Sequence, residues 1–115
     1  MKEKFGDKAR VQHILKAIAE IESFIRGADY EKFEQSSLLQ SAVIRQLEVL
    51  SEAANHLSAD TRDAHPEVAW PQIVGLRNLL IHQYFGVIPQ LIWQIATTDI
   101  PILKSQVEQI QNKIQ

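Results

Sequence analysis

Apolar residues recur at intervals of three and four along most of this chain, and this spacing limits the fold more than any other feature of the sequence. Such intervals place apolar side chains on one face of an α-helix, whereas a half-buried strand alternates apolar and polar residues. No segment alternates as a strand should. The first stripe consists of Val11, Ile14, Leu15, Ile18, Ile21 and Ile25. The second consists of Leu39, Val43, Leu47, Leu50, Ala54 and Leu57. The sequence therefore predicts an all-α protein.

Helix start and stop signals divide the first half of the chain. The first stripe predicts a helix from about Lys8 to Arg26. Asp29 can cap a short helical turn, because its carboxylate accepts the free amide protons at a helix start. Ser36 or Ser37 offers the next cap, and the second stripe then predicts a long helix that ends near His56.

The second half contains a connector and further helices. The connector, SADTRDAHPEVAWP (residues 58–71), breaks the helical period, although Asp60 could start one helical turn within it. A third helix is predicted from Pro71 to Gly86, since proline costs nothing in the first turn. Pro89 can begin a fourth helix, and Asp99 with the proline two positions later predicts a new start for the last helix. The simplest result is an antiparallel, up-and-down bundle of four to five helices.

Length and composition favour one soluble, folded domain over residues 1–115. Hydrophobic residues make up 45% of the chain and charged residues 23%, which is ordinary for a globular protein. The absence of cysteine excludes disulfides, thiolate metal sites and a cysteine nucleophile. No apolar run is long enough to cross a membrane, so we expect a cytoplasmic protein without a membrane partner. The net charge of −2 means that a nucleic acid would have to be held by a local basic patch.

Arg77, His82 and Tyr84 interrupt the otherwise apolar run of the third helix, and Asn78 follows Arg77 directly. At about 100° per residue, Arg77 and Tyr84 fall within about 20° of one stripe, and Asn78 and His82 within about 40° of another. Arg77 and His82 differ by about 140° on an ideal helix. They can act on one small group only if His82 lies in a frayed last turn or if a partner subunit closes the gap.

An arginine and a histidine suffice for metal-free RNA cleavage. Arginine offers a planar fork to phosphate oxygens, and histidine exchanges protons near neutral pH. The ribose 2′-hydroxyl is the nucleophile, so the protein need only move protons and stabilise charge. Spacing alone leaves the structural alternative open, in which His82 is a satisfied core or interface residue and Tyr84 closes the helix end.

Polar residues on the second long helix allow two interpretations each. Glu52 and His56 lie four apart and could share a metal, but no second copy of the pair exists, which favours a solvated pair. Arg45, Glu48 and Glu52 form either a salt-bridged surface or part of a binding cleft, and Arg45 is the best candidate among them for RNA binding.

Two histidines and two tryptophans have simpler interpretations. His13 and His65 have no partner at a motif spacing, which indicates surface residues. Trp70 and Trp93 lie within apolar periodic segments, so we expect them to pack at helix ends rather than to stack on bases.

The order Arg77-Asn78, three residues, His82, one residue, Tyr84 resembles the Arg-x4-His-x-Tyr motif of HepT-like toxins, a branch of the HEPN superfamily of small helical ribonucleases. The similarity extends along the chain: SAVIRQLEVLSEAANHLS resembles that family's second-helix block, HPEVAWPQIVGLRN its approach to the motif and HQYFGV its exit. One departure is Gln46, where the family is expected to carry Asn.

The resemblance implies a homodimer whose two motif helices line a shared cleft, acting as a metal-independent endoribonuclease toxin with no cofactor. Arg77 would bind and polarise the scissile phosphate, His82 would act as general acid or base, and Asn78 would orient it. Arg45 would contact RNA.

The resemblance also implies a partner, the MntA-like nucleotidyltransferase antitoxin of a type VII toxin–antitoxin system, which would transfer AMP to Tyr84. The alternative is a non-catalytic nucleotide-binding or adaptor protein whose motif serves as a docking and AMPylation surface for such a partner.

Overall fold

The computed structural model describes residues 2–82 and 88–114, and the side chains of residues 6–81 and 88–114. This part of the chain is helical and contains no strand, which confirms the all-α prediction. The helices are α1 (Lys2–Ile25), α2 (Tyr30–Gln35), α3 (Ser37–Asn55), α4 (Ala59–Ala64), α5 (Trp70–His82), α6 (Pro89–Gln94) and α7 (Ile100–Lys113). The predicted end of the third helix at Gly86 lies outside the described residues.

Side-chain caps set the starts of three helices, α2, α3 and α4. Asp29 accepts a hydrogen bond from the Lys32 amide at 2.9 Å, and Ser36 accepts one from the Leu39 amide at 3.0 Å, as predicted. The helical turn in the connector is capped by Ser58 and not by Asp60. The earlier residue is favoured because its hydroxyl reaches the amide of Thr61.

Two predicted boundaries differ from the structure. α1 begins at Lys2, about two turns before the predicted start, because polar residues carry no apolar stripe yet remain compatible with a helix. The predicted break at Asp99 is absent: one π-helical turn, Ile95–Asp99, joins α6 to α7. The amide of Ile100, just after this turn, donates to the carbonyl of Ile95, so the chain stays helical across Asp99. Pro101, which has no amide proton, then lies in the first turn of α7.

The long helices surround one cluster of buried apolar side chains. α1 packs against α3 and α7, and α3 packs against α5. Asp7 near the start of α1 bonds to Ser58 just beyond the end of α3, and Glu22 near the end of α1 binds Lys104 near the start of α7 at 3.1 Å. α1 is therefore antiparallel to both neighbours. The largest fully buried side chains include Ile14, Ile18, Ile21, Phe33, Leu47, Leu50 and Ile110.

Polar contacts fix the helix that carries the motif. The indole nitrogen of Trp70 donates to the carbonyls of Arg62 and His65, which ties the start of α5 to the connector. The buried hydroxyl of Ser51 donates to the carbonyl of Val74 at 3.1 Å and joins α3 to the middle of α5. α5 is thus positioned from its first turn to its centre.

The tryptophans pack as predicted, and one histidine does not. Trp70 is buried, and the ring of Trp93 lies 5.3 Å from that of Phe33. His65, predicted at the surface, is also buried, because the connector folds over the start of α5. None of the helices over residues 2–82 and 88–114 combines the length and apolarity that a bilayer crossing requires.

Candidate functional site

Arg77 lies in the wall of a cleft of about 420 Å³ between α1, α3 and α5. Apolar side chains of α3, Val49 and Ala53, form part of its lining. The remaining described lining is charged or titratable: Arg10 and His13 from α1, Arg45, Glu48, Glu52 and His56 from α3 and its end, and Arg77 from α5. Three helices that are distant in sequence therefore bring arginine side chains to one concave surface.

The guanidinium of Arg77 is accessible and paired. Its side chain is 58% exposed, and its Nη1 lies 3.4 Å from one carboxylate oxygen of Glu52. The other oxygen of Glu52 lies 2.8 Å from Nε2 of His56. Glu52 thus joins a cation from α5 to an imidazole at the end of α3. Both pairs are about half exposed, so an incoming anion can compete for Arg77.

The structure places Arg45 in the same cleft as Arg77. Arg45, Glu48 and Glu52 all line this concave surface, and Glu52 is also ion-paired there, so both interpretations of the three residues stay open. Asn78 is exposed, but it lies about 100° around α5 from Arg77 and belongs to the neighbouring face.

Two of the predicted site residues are less fully placed. His82 is the last residue of α5, and its side chain is outside the described part of the structure. Tyr84 lies outside the described residues altogether. The sequence-based geometry of these two residues, including the 140° between Arg77 and His82, stays a prediction.

Sequence reasoning missed Arg10 as a cleft residue, and it gave His13 no functional role. Both lie on α1 and point into the same cleft as Arg77. Their spacing of three places them on one helical face, which was a usable signal. It could not be interpreted alone, because the partner helices of that face are set by packing.

The described residues show no metal site. Over residues 6–81 and 88–114 there is no group of three or more His, Asp or Glu side chains that could hold a metal ion. Glu52 contacts His56 and Arg77, and all three side chains are about half exposed, which fits the solvated-pair interpretation.

Comparison with known proteins identifies the family. Residues 14–110 match the family described as Ribonuclease HepT-like. The chain belongs to the HepT-like ribonuclease family. The family match covers Arg45 and all the motif residues from Arg77 to Tyr84, whereas Arg10 and His13 of this HepT-like chain lie before it.

Several named relatives align with nearly the full HepT-like chain. "Putative RNase MJ1380" of Methanocaldococcus jannaschii is 40% identical over 101 residues, 88% of this chain and 93% of the relative. "Putative RNase TTE0752" of Caldanaerobacter subterraneus subsp. tengcongensis is 36% identical, covering 90% and 92%. "Probable ribonuclease HepT" of Thermococcus cleftensis is 37% identical, covering 94% and 98%. No solved structure matches the chain significantly.

Proposed function

We propose that this protein is a metal-independent endoribonuclease, acting in the cytoplasm as the toxin of a HepT/MntA-like toxin–antitoxin system. The observation that carries the proposal is the exposed guanidinium of Arg77 in an arginine-lined cleft, on the same helix as His82. The relatives' names, which describe them as RNases, support the same class of reaction.

The proposed reaction needs proton transfer and charge stabilisation. The ribose 2′-hydroxyl attacks the adjacent phosphorus, the bond to the 5′-oxygen breaks, and a 2′,3′-cyclic phosphate forms. His82 moves a proton as general acid or base, a role typically worth about 10²–10⁴-fold in rate. Arg77 holds the phosphoryl oxygens as their negative charge grows, and Asn78 orients His82. Arg45 contacts the RNA backbone within the same cleft.

The active form is proposed to be a homodimer. An ideal helix separates Arg77 and His82 by about 140°, so two copies of α5 facing each other can supply both groups to one phosphate. Apolar side chains near this end of α5 support a second copy as the partner. Leu79 is 37% exposed and Ile81 51%. Covering them would bury apolar surface beside the motif.

Neutralisation is proposed to occur at Tyr84. A nucleotidyltransferase antitoxin would transfer AMP from a nucleoside triphosphate to the phenol oxygen and release pyrophosphate. The added phosphate carries negative charge, and it would stand on the same helical stripe as Arg77, seven residues away. RNA phosphate and the modification would then compete for one guanidinium.

Cleavage of single-stranded RNA in EDTA tests the nuclease proposal. Wild-type protein should cleave, His82→Ala should lose at least about 100-fold in rate, and Arg77→Ala should be similarly impaired. Arg26→Ala is the matched control, because Arg26 is exposed at the end of α1 and outside the cleft. Cleavage that survives His82→Ala, or that requires a divalent metal, would reject the proposal.

Intact mass tests the modification proposal. After co-expression with an MntA-like nucleotidyltransferase, the mass should rise by one or more AMP units, and Tyr84→Phe should abolish the rise. An unchanged wild-type mass, or a shift that survives the substitution, removes Tyr84 from the scheme.

The second candidate is a non-catalytic adaptor that docks a nucleotidyltransferase. Two observations favour it: the net charge of −2, and the carboxylate of Glu52 already paired with Arg77. Wild-type and His82→Ala proteins that are equally inactive on RNA, with no growth arrest on expression, would select this candidate.

A further inference from the structure

A second cleft continues the one that contains Arg77. It has a volume of about 450 Å³, and its lining includes Arg10, Asn55, His56 and Arg62. Arg10 and His56 also line the first cleft. The two concave surfaces therefore adjoin along the end of α3, with Arg10 of α1 between them.

Arginines are concentrated in these two clefts. Four of the chain's five arginines line them, namely Arg10, Arg45, Arg62 and Arg77. The acidic residues in their described lining are Glu48 and Glu52. Four arginines against two glutamates leave a formal surplus of two positive charges on a chain whose net charge is −2. Such a local surplus is what binding of a polyanion by an acidic protein requires.

Two of these four arginines have a carboxylate near them: Arg77 pairs with Glu52, and the positive charge of Arg62 acts on the carboxylate of Asp7. Within the described residues, neither Arg10 nor Arg45 lies within ion-pair distance of a carboxylate. The nearby carboxylate of Asp7 is 2% exposed and accepts hydrogen bonds from Ser58 and Thr61, so it is occupied beneath the surface. The guanidinium of Arg10 is thus available to a ligand.

The combined surface is elongated. Along α3 it extends from Arg45 to His56, which at 1.5 Å per residue is about 16 Å. This length accommodates more than one backbone phosphate of a nucleic-acid strand, so it exceeds what a single scissile phosphate needs. Arginine suits such a surface because its planar fork binds phosphate oxygens in pairs.

We propose that the second cleft is a phosphate-binding subsite in which Arg10 and Arg62 hold the backbone of single-stranded RNA next to the nucleotide cleaved at Arg77. The inference rests on the proposed nuclease function and specifies its substrate as an extended strand rather than a dinucleotide. Arg10, shared by both clefts, connects the subsite to the cleavage site.

RNA binding and cleavage by the full-length protein test the subsite. Arg10→Gln and Arg62→Gln should each raise the Kd for a labelled 12-nucleotide single-stranded RNA about tenfold, the effect of one lost charge-assisted contact. Each should also reduce the slope of log Kd against log salt by about 0.7. The KM for cleavage of a dinucleotide should not change for Arg62→Gln, because Arg62 lines the second cleft and not the first. Lys16→Gln is the matched control, since Lys16 is exposed on α1, outside both clefts, and loses the same charge.

Arg10→Lys and thermal unfolding separate binding from folding. Arg10→Lys should recover part of the affinity, and all variants should unfold within a few degrees of wild type. Equal Kd values for Arg62→Gln and Lys16→Gln, or a parallel loss of Arg62→Gln on the dinucleotide, would overturn the subsite. If wild-type protein binds the 12-mer, and the two arginine variants weaken that binding and its salt dependence as stated, but no RNA is cleaved, the nuclease proposal fails and the subsite stands. If it cleaves and Arg10→Gln behaves as wild type, only the subsite fails.

Discussion

The carboxylate of Glu52 on α3 and the guanidinium of Arg77 on α5 face each other across the cleft, with 3.4 Å between Oε2 and Nη1. Arg77, the residue proposed to bind phosphate, is therefore already in contact with a carboxylate of the protein itself. Because His56 holds the other oxygen of the carboxylate, Glu52 has a second partner to which it can remain bound when phosphate takes Arg77. In the proposed function, Glu52 therefore competes with RNA phosphate for Arg77.

Glu52→Gln should tighten RNA binding. The substitution removes a competing negative charge and keeps the side-chain shape, so the Kd for single-stranded RNA should fall about twofold to fivefold, within the range of exposed ion pairs. Fluorescence anisotropy at low salt measures this change, and it should shrink as salt is added. Glu31→Gln, which loses the same charge at an exposed position on α2, should have little effect. Weaker binding by Glu52→Gln would show instead that Glu52 positions Arg77.

Ile81→Asp should convert the proposed dimer to a monomer. Ile81 lies near the end of α5 and is half exposed, so a charge there is tolerated in the free chain but not in an apolar contact between subunits. Light scattering coupled to gel filtration should report a dimer for wild type and a monomer for the variant, with loss of RNA cleavage. Ile102→Asp on α7, at similar exposure, should stay dimeric. Equal masses for wild type and Ile81→Asp would contradict the predicted interface.

The starts of α2 and α3 were predictable because each cap depends on residues a few positions apart. Asp29 bonds to Lys32 and Ser36 to Leu39, as their order in the chain indicates. The apolar stripes likewise identified the core, since a helical face follows directly from spacing.

The cleft was only partly predictable, for a physical reason. It joins faces of three helices, and the rotation of each helix about its axis is decided by side-chain packing rather than by spacing within one segment. The motif identified Arg77 and the resemblance pointed to Arg45, whereas Arg10 has no motif around it and enters the cleft through the packing of α1 on α3. The buried position of His65 has the same origin, because it depends on how the connector folds over Trp70.

Leu50→Ala should destabilise the fold far more than Leu38→Ala, although both residues lie on α3. Leu50 is fully buried, whereas Leu38 is 82% exposed. Loss of a buried leucine side chain removes apolar burial and leaves a cavity, which typically costs about 2–5 kcal/mol. The exposed site should change by less than about 0.5 kcal/mol. Urea unfolding of the two variants measures the difference, and similar free energies of unfolding would contradict the burial of α3 described above.

Asp7→Asn should lower the free energy of unfolding at neutral pH, and that free energy should then fall less in acid than it does for wild type. Burial alone would raise the pKa of Asp7, but hydrogen bonds from the Ser58 hydroxyl, the Thr61 hydroxyl and the Ser58 amide, with the positive charge of Arg62, together lower it. The unfolded chain therefore takes up this proton at higher pH than the folded protein. The resulting stabilisation is complete above the ordinary aspartate pKa of about 3.9 and disappears as pH falls through the lowered folded value.

Asn cannot titrate, so the free energy of unfolding of Asp7→Asn should be about 1–3 kcal/mol below wild type at pH 7, with the gap narrowing below about pH 4. Urea unfolding followed by circular dichroism across this range measures both effects. Asp63→Asn, an exposed position on α4, should stay within about 0.5 kcal/mol of wild type. A gap between Asp7→Asn and wild type that is constant from pH 7 to pH 3 would show that the buried contact stabilises through shape and hydrogen bonding without the charge. A gap that narrows in acid would show that the ionised carboxylate of Asp7 joins the start of α1 to Ser58 and Thr61, beside the second cleft.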